Sequence, residues 1–99
     1  MIGLIGAMAL ELEMLMKDLK EKEETAIGLD RFVTGKLYDK DVVMCVCGAG
    51  KVNAALSAQN MILNFHPEWV LNLGVAGSGV FGVNIGDMVI ATSAVQHDL

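Results

Sequence analysis

The chain has 99 residues, 54% of them hydrophobic, and 11 glycines; the apolar-plus-glycine share of about 64% exceeds the 45–50% typical of globular domains and is more than so small a domain buries alone. Twelve acidic residues against seven basic ones give a net charge of −5 with no basic block, which argues against nucleic acid as a partner. No apolar run approaches the roughly 20 residues of a membrane span, so the excess points to oligomerisation or to further protein that covers it.

Residues 1–5 form a short apolar run before Gly6 and predict a buried strand. From 7 to about 24 the period turns helical. Met8, Leu12, Leu15 and Leu19 fall within about 40° of one another on the helical wheel with Met16 beside them, and Glu13 and Lys17 form an i,i+4 pair on the opposite side. Residues 20–24 are expected to be the charged end of this helix. Strand candidates at 25–29 and 31–37, a turn at Asp39-Lys40-Asp41 and a strong strand at 42–47 predict an antiparallel hairpin.

Cys45 and Cys47 alternate along that strand and so share a face. They are expected to be buried, reduced and inert, as in a cytoplasmic protein; a C-x-C metal or redox role lacks a further Cys or a nearby His. Gly48-Ala49-Gly50 ends the strand, and a second helix is predicted over Lys51–Phe65 with Val52, Leu56, Gln59 or Asn60, and Leu63 along one side. His66-Pro67 terminates it, because the residue before proline avoids the helical region. A continuous apolar run at 69–75 reads as a strand covered on both faces. A glycine-rich loop at 77–86 leads to a last strand at 87–95. The order describes one α/β domain over 1–99, a mixed β-sheet flanked by helices, without linker or repeat. The first ten residues lack a basic region and run straight into Glu11 and Glu13, which argues against a signal peptide and for a cytoplasmic location.

In open α/β sheets, ligands bind beyond the carboxyl ends of the strands. Three such ends here are built from small residues: Gly6-Ala7-Met8, Cys47-Gly48-Ala49-Gly50 and Gly74-Val75-Ala76-Gly77. Each alone reads equally as a plain turn, but three together favour a small-molecule site where a ligand approaches the backbone. Glu11 lies about 75° from the centre of the apolar stripe of the first helix, whereas Glu13 lies about 125° away. Glu11 is either a first-turn carboxylate favoured by the helix dipole or a partly desolvated base facing the strand-end crevice.

Two motif lookalikes fail. Gly77-Ser78-Gly79-Val80-Phe81-Gly82 matches G-x-G-x-x-G, but the pattern after it predicts another strand rather than the helix a pyrophosphate needs. Gly48-Ala49-Gly50-Lys51 resembles the end of a P-loop, but Val52 stands where Ser or Thr is required and the first glycine is missing. His66 reads as a solvated helix end, and Asn53, Gln59 and Asn60 as helix surface or cap residues. His97-Asp98 ends the chain without a metal set.

IGAMALELEML at 5–15, CGAGKVNAA at 47–55, VLNLGVAGSG at 70–79, VNIGDMVIAT at 83–92 and the closing His97-Asp98 together resemble the N-terminal portion of the 5′-methylthioadenosine/S-adenosylhomocysteine nucleosidases. The resemblance implies the phosphorylase/hydrolase-like fold of the purine nucleoside phosphorylase superfamily, with 1–99 the first part of a larger three-layer α/β domain. It implies a cytoplasmic homodimer of methionine salvage that hydrolyses the N-glycosidic bond of adenine thionucleosides, releasing adenine, without cofactor or metal. By the family pattern Glu11 activates the attacking water. Gly77 contacts substrate with Val75 and Ala76 alongside, Ala7 and Met8 line the ribose and thioalkyl region, and Ala49 lies near the thioalkyl end.

A carboxylate near the anomeric carbon suits this chemistry, because positive charge builds on the sugar as the bond breaks. The aspartate that protonates the purine, the ribose-binding Met-Glu segment and the dimer-contact loop belong to parts of the family pattern beyond residue 99, and neither Asp87 nor Asp98 matches the aspartate's motif. Val75 replaces a serine of some relatives, and Ala49 a larger aliphatic. Arg31, the chain's single arginine, is expected away from the three strand-end loops, which favours hydrolysis over phosphorolysis. The isolated chain is expected to be inactive; the alternatives are a phosphorylase or another nucleoside hydrolase of the superfamily, or a non-catalytic interaction module.

Overall fold

The computed structural model describes residues 1–79 and 81–96. Its elements are β1 (Ile2–Gly6), α1 (Ala9–Asp18), β2 (Lys20–Ile27), β3 (Asp30–Leu37), β4 (Lys40–Val46), α2 (Lys51–Phe65) and β5 (Trp69–Leu73). The five strands form one sheet in the order β2-β3-β4-β1-β5. β1 pairs in parallel with β4 on one side and β5 on the other, while β2, β3 and β4 are antiparallel neighbours. The mixed α/β sheet expected from the sequence is present.

Strand alternation sorts the core into two layers. Leu4, Val42 and Met44 point to one face and meet Leu12 and Leu19, with Leu15 and Met16 of α1 alongside. Ile5, Val43 and Cys45 point to the other and meet Phe32 and Met61, with Ala58 and Phe65 of α2 alongside. Phe32 and Phe65 stack at a 45° tilt with ring centroids 5.2 Å apart, within the range of favourable aromatic pairs. α2 comes this close to the sheet because β1 carries Gly3, where a Cβ would run into the Met61 sulfur.

The helical wheel places Leu12, Leu15 and Met16 of α1 correctly, but Met8 stands before the helix and is 53% exposed, and in α2 the wheel fails. α2 buries Ser57 and Met61, flanked by Ala58 and Phe65, and leaves Val52, Leu56 and Leu63 exposed. The inner face goes to the residues that fit the sheet opposite them, Met61 over Gly3 and Phe65 against Phe32 with small Ser57 and Ala58 between, so the stripe of Val52, Leu56 and Leu63 points outward.

The first helix is also shorter than its sequence pattern. It stops at Asp18; Leu19, buried at 4% exposure, takes an extended conformation, and the charged residues that follow open β2 instead of ending a helix. There a register shift separates Lys20 from Glu23. Gly35 of β3 accommodates the crossing, since a Cβ on it would sit 2.6 Å from the Lys20 carbonyl and 2.7 Å from Leu19. β2 is an edge strand whose Lys and Glu side chains face solvent, a composition that discourages further edge pairing. The β3–β4 turn uses Tyr38 and Asp39, one residue earlier than expected, both with positive φ; such a two-residue turn matches the twist of the strands it joins. The Tyr38 hydroxyl donates to Asp18 at 3.1 Å.

β5 ends at Leu73 and is the other edge of the sheet. It is not covered on both faces as expected, for Trp69 is 66% exposed and Val70 and Leu71 are largely so. The strand expected at 87–95 is absent among the described residues: Met88, Val89 and Ile90 are exposed, and local order is limited to a turn in which the Asp87 amide donates to the Asn84 carbonyl. A strand exists only where an edge receives it.

Cys45 and Cys47 are free thiols on the α2 side of β4, the first buried and the second half-buried. Burial pushes the Cys45 thiol up to about 11. The folded protein therefore holds this proton where the unfolded chain loses it, and the associated stability is full below about pH 9 and lost as the pH rises toward 11. The decline is expected to amount to about 2–3 kcal/mol and to disappear in Cys45→Ala, as read from denaturation midpoints at pH 8 and pH 10.5. Met61→Ala is expected to destabilise by about 2–5 kcal/mol, and Glu23→Ala on the exposed edge by less than about 0.5 kcal/mol; chemical denaturation compares the two.

Candidate active site

The parallel ladders bring three carboxyl ends together: Gly6 pairs with Val46 on one side and with Leu73 on the other. The Cys47 amide extends the first ladder by donating to the Gly6 carbonyl at 2.9 Å. The small-residue segments singled out in the sequence thus emerge side by side at this end of the sheet, where open α/β sheets form their ligand crevice.

α1 starts immediately beyond β1, and Glu11 is its third residue. The helix begins without a side-chain cap from Met8, which leaves its first amides open. Glu11 folds back past them onto the two residues that lead into the helix: its Oε2 accepts from the Ala7 amide at 2.7 Å and from the amide of Met8, the N-cap, at 3.1 Å. The carboxylate is wedged between two strand ends. A Cβ on Gly6 would lie 3.3 Å from Oε2, and one on Gly74 would lie 3.3 Å from Oε1. Half-buried Glu11 thus faces the crevice and Glu13 lies exposed outside it, as the helical wheel indicates. Glu13 instead edges a groove of about 280 Å³ between α1 and the sheet, with Leu12, Met16, Lys22 and Val46 among its walls.

Ala49 lies in the loop after β4. Gly48 and Gly50 on either side take φ of +82° and +95°, values that disfavour side chains. Asn53 donates to the Ala49 carbonyl at 2.7 Å, tying the loop to the first turn of α2. Asn53 is more than a helix-surface residue, and the glycine pair three positions before it is the sequence signal for that tie. Val75, Ala76 and Gly77 leave the end of β5 exposed, with open space around Gly77. The structure therefore brings Ala7, Met8, Glu11 and Gly74 together, sets the Ala49 loop beside Gly6 through Cys47, and leaves 75–77 on the rim. His97 and Asp98 lie outside the described residues.

Two polar groups prove structural. Asp87 accepts the Asn84 amide at 2.8 Å within its turn. Asp30, which the sequence did not single out, accepts from Ser57 at 2.9 Å and from Asn60 at 3.0 Å, pinning α2 to the start of β3. Asn60 is therefore a tether rather than a surface residue. Arg31 requires a correction. Because β3 runs antiparallel to β4, with Phe32 opposite Cys45, Arg31 stands at the same end of the sheet as the crevice. It is nevertheless separated from β1 by β4, and its guanidinium is exposed and paired with Glu24 of the outer strand at 3.4 Å. Among the described residues no group of three or more His, Cys, Asp or Glu could hold a metal, and no helix is long and apolar enough to cross a membrane.

The chain is similar to the 5′-methylthioadenosine/S-adenosylhomocysteine nucleosidase of Geobacillus sp. (strain WCH70), with 42% identity over 98 residues, covering 99% of this chain and 42% of that protein. Similarity to the Staphylococcus carnosus nucleosidase of the same name is also 42%, covering 99% of this chain and 43% of the relative. The chain thus spans less than half the length of these relatives. The fold superposes on the Streptococcus pneumoniae MTA/SAH nucleosidase in complex with 8-aminoadenine with a TM-score of 0.83 at 32% identity, covering 87% of this chain and 38% of that one. Helicobacter pylori futalosine hydrolase superposes with a TM-score of 0.71 at 35% identity, covering 78% of this chain and 34% of that one. The model of the phosphorylase superfamily matches residues 1–99, and with this fold and this arrangement of strand ends the chain belongs to that superfamily.

Proposed function

We propose that these residues are the N-terminal part of a nucleosidase that hydrolyses the N-glycosidic bond of 5′-methylthioadenosine and S-adenosylhomocysteine, with Glu11 as the base. The observation that carries this reading is the wedged carboxylate: one oxygen held by two backbone amides, the other at the mouth of a crevice built from glycine-rich strand ends. Similarity to nucleosidases, some solved with adenine derivatives, supports the substrate class. In the reaction, Glu11 accepts a proton from water as the water oxygen bonds to the anomeric carbon. The carbon–nitrogen bond breaks, its electron pair leaves with the purine, and a separate acid protonates that purine. The developing positive charge on the sugar is stabilised by the nearby carboxylate.

In this reading Ala7 and Met8 line the ribose and thioalkyl side, Ala49 the thioalkyl end, and Val75, Ala76 and Gly77 the substrate-facing rim. The base needs no metal or cofactor to accept its proton. Cytoplasmic methionine salvage is the corresponding setting, and it releases adenine. The similarity to nucleosidases and to a hydrolase favours hydrolysis over phosphorolysis. The protein acts as a homodimer in which the outward stripe of α2, Val52, Leu56 and Leu63, is the apolar surface available for burial against a second copy.

In the full-length protein, Glu11→Gln is expected to lower the rate of adenine release by about 10²–10⁴-fold, while Glu13→Gln stays within about 3-fold. Near-normal turnover of Glu11→Gln would remove it from the base role, and a rate that rises with phosphate would favour a phosphorylase. Futalosine as competing substrate in the same assay separates the two hydrolase neighbours. Leu56→Asp combined with Leu63→Asp is expected to convert a dimer to monomers in sedimentation velocity, and an unchanged dimer would place the interface elsewhere.

A further inference from the structure

We propose that Gly74 is a positioning residue for the Glu11 base and that the two carboxylate oxygens have separate tasks, Oε2 as the anchor and Oε1 as the proton acceptor; this rests on the reading of Glu11 above. Oε2 is occupied by the Ala7 and Met8 amides at 2.7 and 3.1 Å, so two of its lone-pair directions are committed to the backbone. Among the described residues no hydrogen bond engages Oε1, which faces Gly74 just past the end of β5. The three atoms nearest to a Cβ built on Gly74 all belong to this one carboxylate: Oε1 at 3.3 Å, Cδ at 3.6 Å and Oε2 at 3.8 Å.

Backbone conformation does not demand glycine here, because Gly74 is absent from the positive-φ glycines of the chain. What glycine provides is space, and the space is filled by the catalytic carboxylate. Gly77 and Gly79, slightly further along the same segment, have nothing within 4 Å of such a Cβ, so within this segment the crowding is confined to position 74; Gly6 is the other glycine that Glu11 crowds, and it does so at the anchored Oε2 rather than at Oε1. A methyl group at 74 would push Oε1 by a few tenths of an ångström while the two amides keep hold of Oε2. The carboxylate would turn about its anchored oxygen and lose its aim at the attacking water. Displacements of about 1 Å at a reacting group cost up to about 10²-fold in rate.

The experiment is a double-mutant cycle in the full-length enzyme, with steady-state rates of adenine release for wild type, Gly74→Ala, Glu11→Gln and the double variant. Gly74→Ala, which shifts the carboxylate by only a few tenths of that distance, is expected to lower kcat by about 3- to 10-fold with KM within about 2-fold, and to cost less than about 1.5-fold when added to Glu11→Gln. Equal losses in both backgrounds, or a loss confined to KM, would overturn the positioning role and make Gly74 a general packing or binding position. If Glu11→Gln alone retains near-normal turnover, the base assignment itself fails, an outcome distinct from additivity. Gly74→Ser serves as a second variant should Gly74→Ala fold poorly: it brings the same Cβ to Oε1 and must show the same coupling to Glu11.

Discussion

Two parallel ladders on either side of β1 organise the whole molecule. The strand is five residues long, yet it pairs along its length with β4 and with β5, sends Leu4 into one core layer and Ile5 into the other, and presents Gly3 to the incoming Met61. Because both ladders are parallel, all three carboxyl ends emerge on the same side, and everything that follows them is delivered to one crevice. An antiparallel partner in either place would have sent its loop to the opposite end of the sheet. The site is thus a consequence of how β1 is paired, and Glu11 reaches it because α1 starts only two residues beyond that strand.

The same carboxylate serves the fold and the site. At the N-terminus of α1 a negative group satisfies two open amides and sits favourably in the helix dipole, a contribution of about 0.3–1 kcal/mol at an exposed position. That is the plain structural account of Glu11, and the hydrogen bonds bear it out. It is not a competing account, because capping engages one oxygen and leaves the other directed at the crevice. Anchoring one oxygen on backbone groups restricts the side chain to a narrow arc, and for the proposed base such restriction before the substrate arrives would lower the entropic part of the barrier. The glycines on either side keep that arc open.

Much of this was legible in the sequence. Glu11 separates from Glu13 by wheel angle alone, and the three small-residue strand ends are visible as a set. Where the pattern misled, local periodicity met a tertiary constraint. Residues 20–24 continue a helical charge pattern, but Leu19 is drawn into the core in an extended conformation and Gly35 leaves room for the chain to cross into β2. In α2 the larger aliphatics suggested the buried side, whereas close approach to β1 selects Ser57, Ala58 and Met61. Asp30 carried no signal at all, since a lone acid at a turn looks solvated until two helix side chains close on it. Arg31 was misjudged for a topological reason: an antiparallel strand starts where its neighbour ends.

The apolar excess of the composition also has a location. It lies on the outer stripe of α2, on the β5 edge with Trp69 and Leu71 and at positions between Val75 and Val95, with further exposed positions at Leu10 and Met14 of α1 and at Leu29 in the β2–β3 turn. β2, the opposite edge, is lined with Lys and Glu and needs no cover. That asymmetry gives the sheet a direction: one edge is finished by charge, and the other presents unpaired backbone and large apolar side chains. Half-buried Glu11, at the carboxyl ends of β1 and β5, lies on the side of this unfinished apolar edge, and whatever covers that edge would lower the local dielectric and strengthen the effect of the carboxylate on a nearby positive charge.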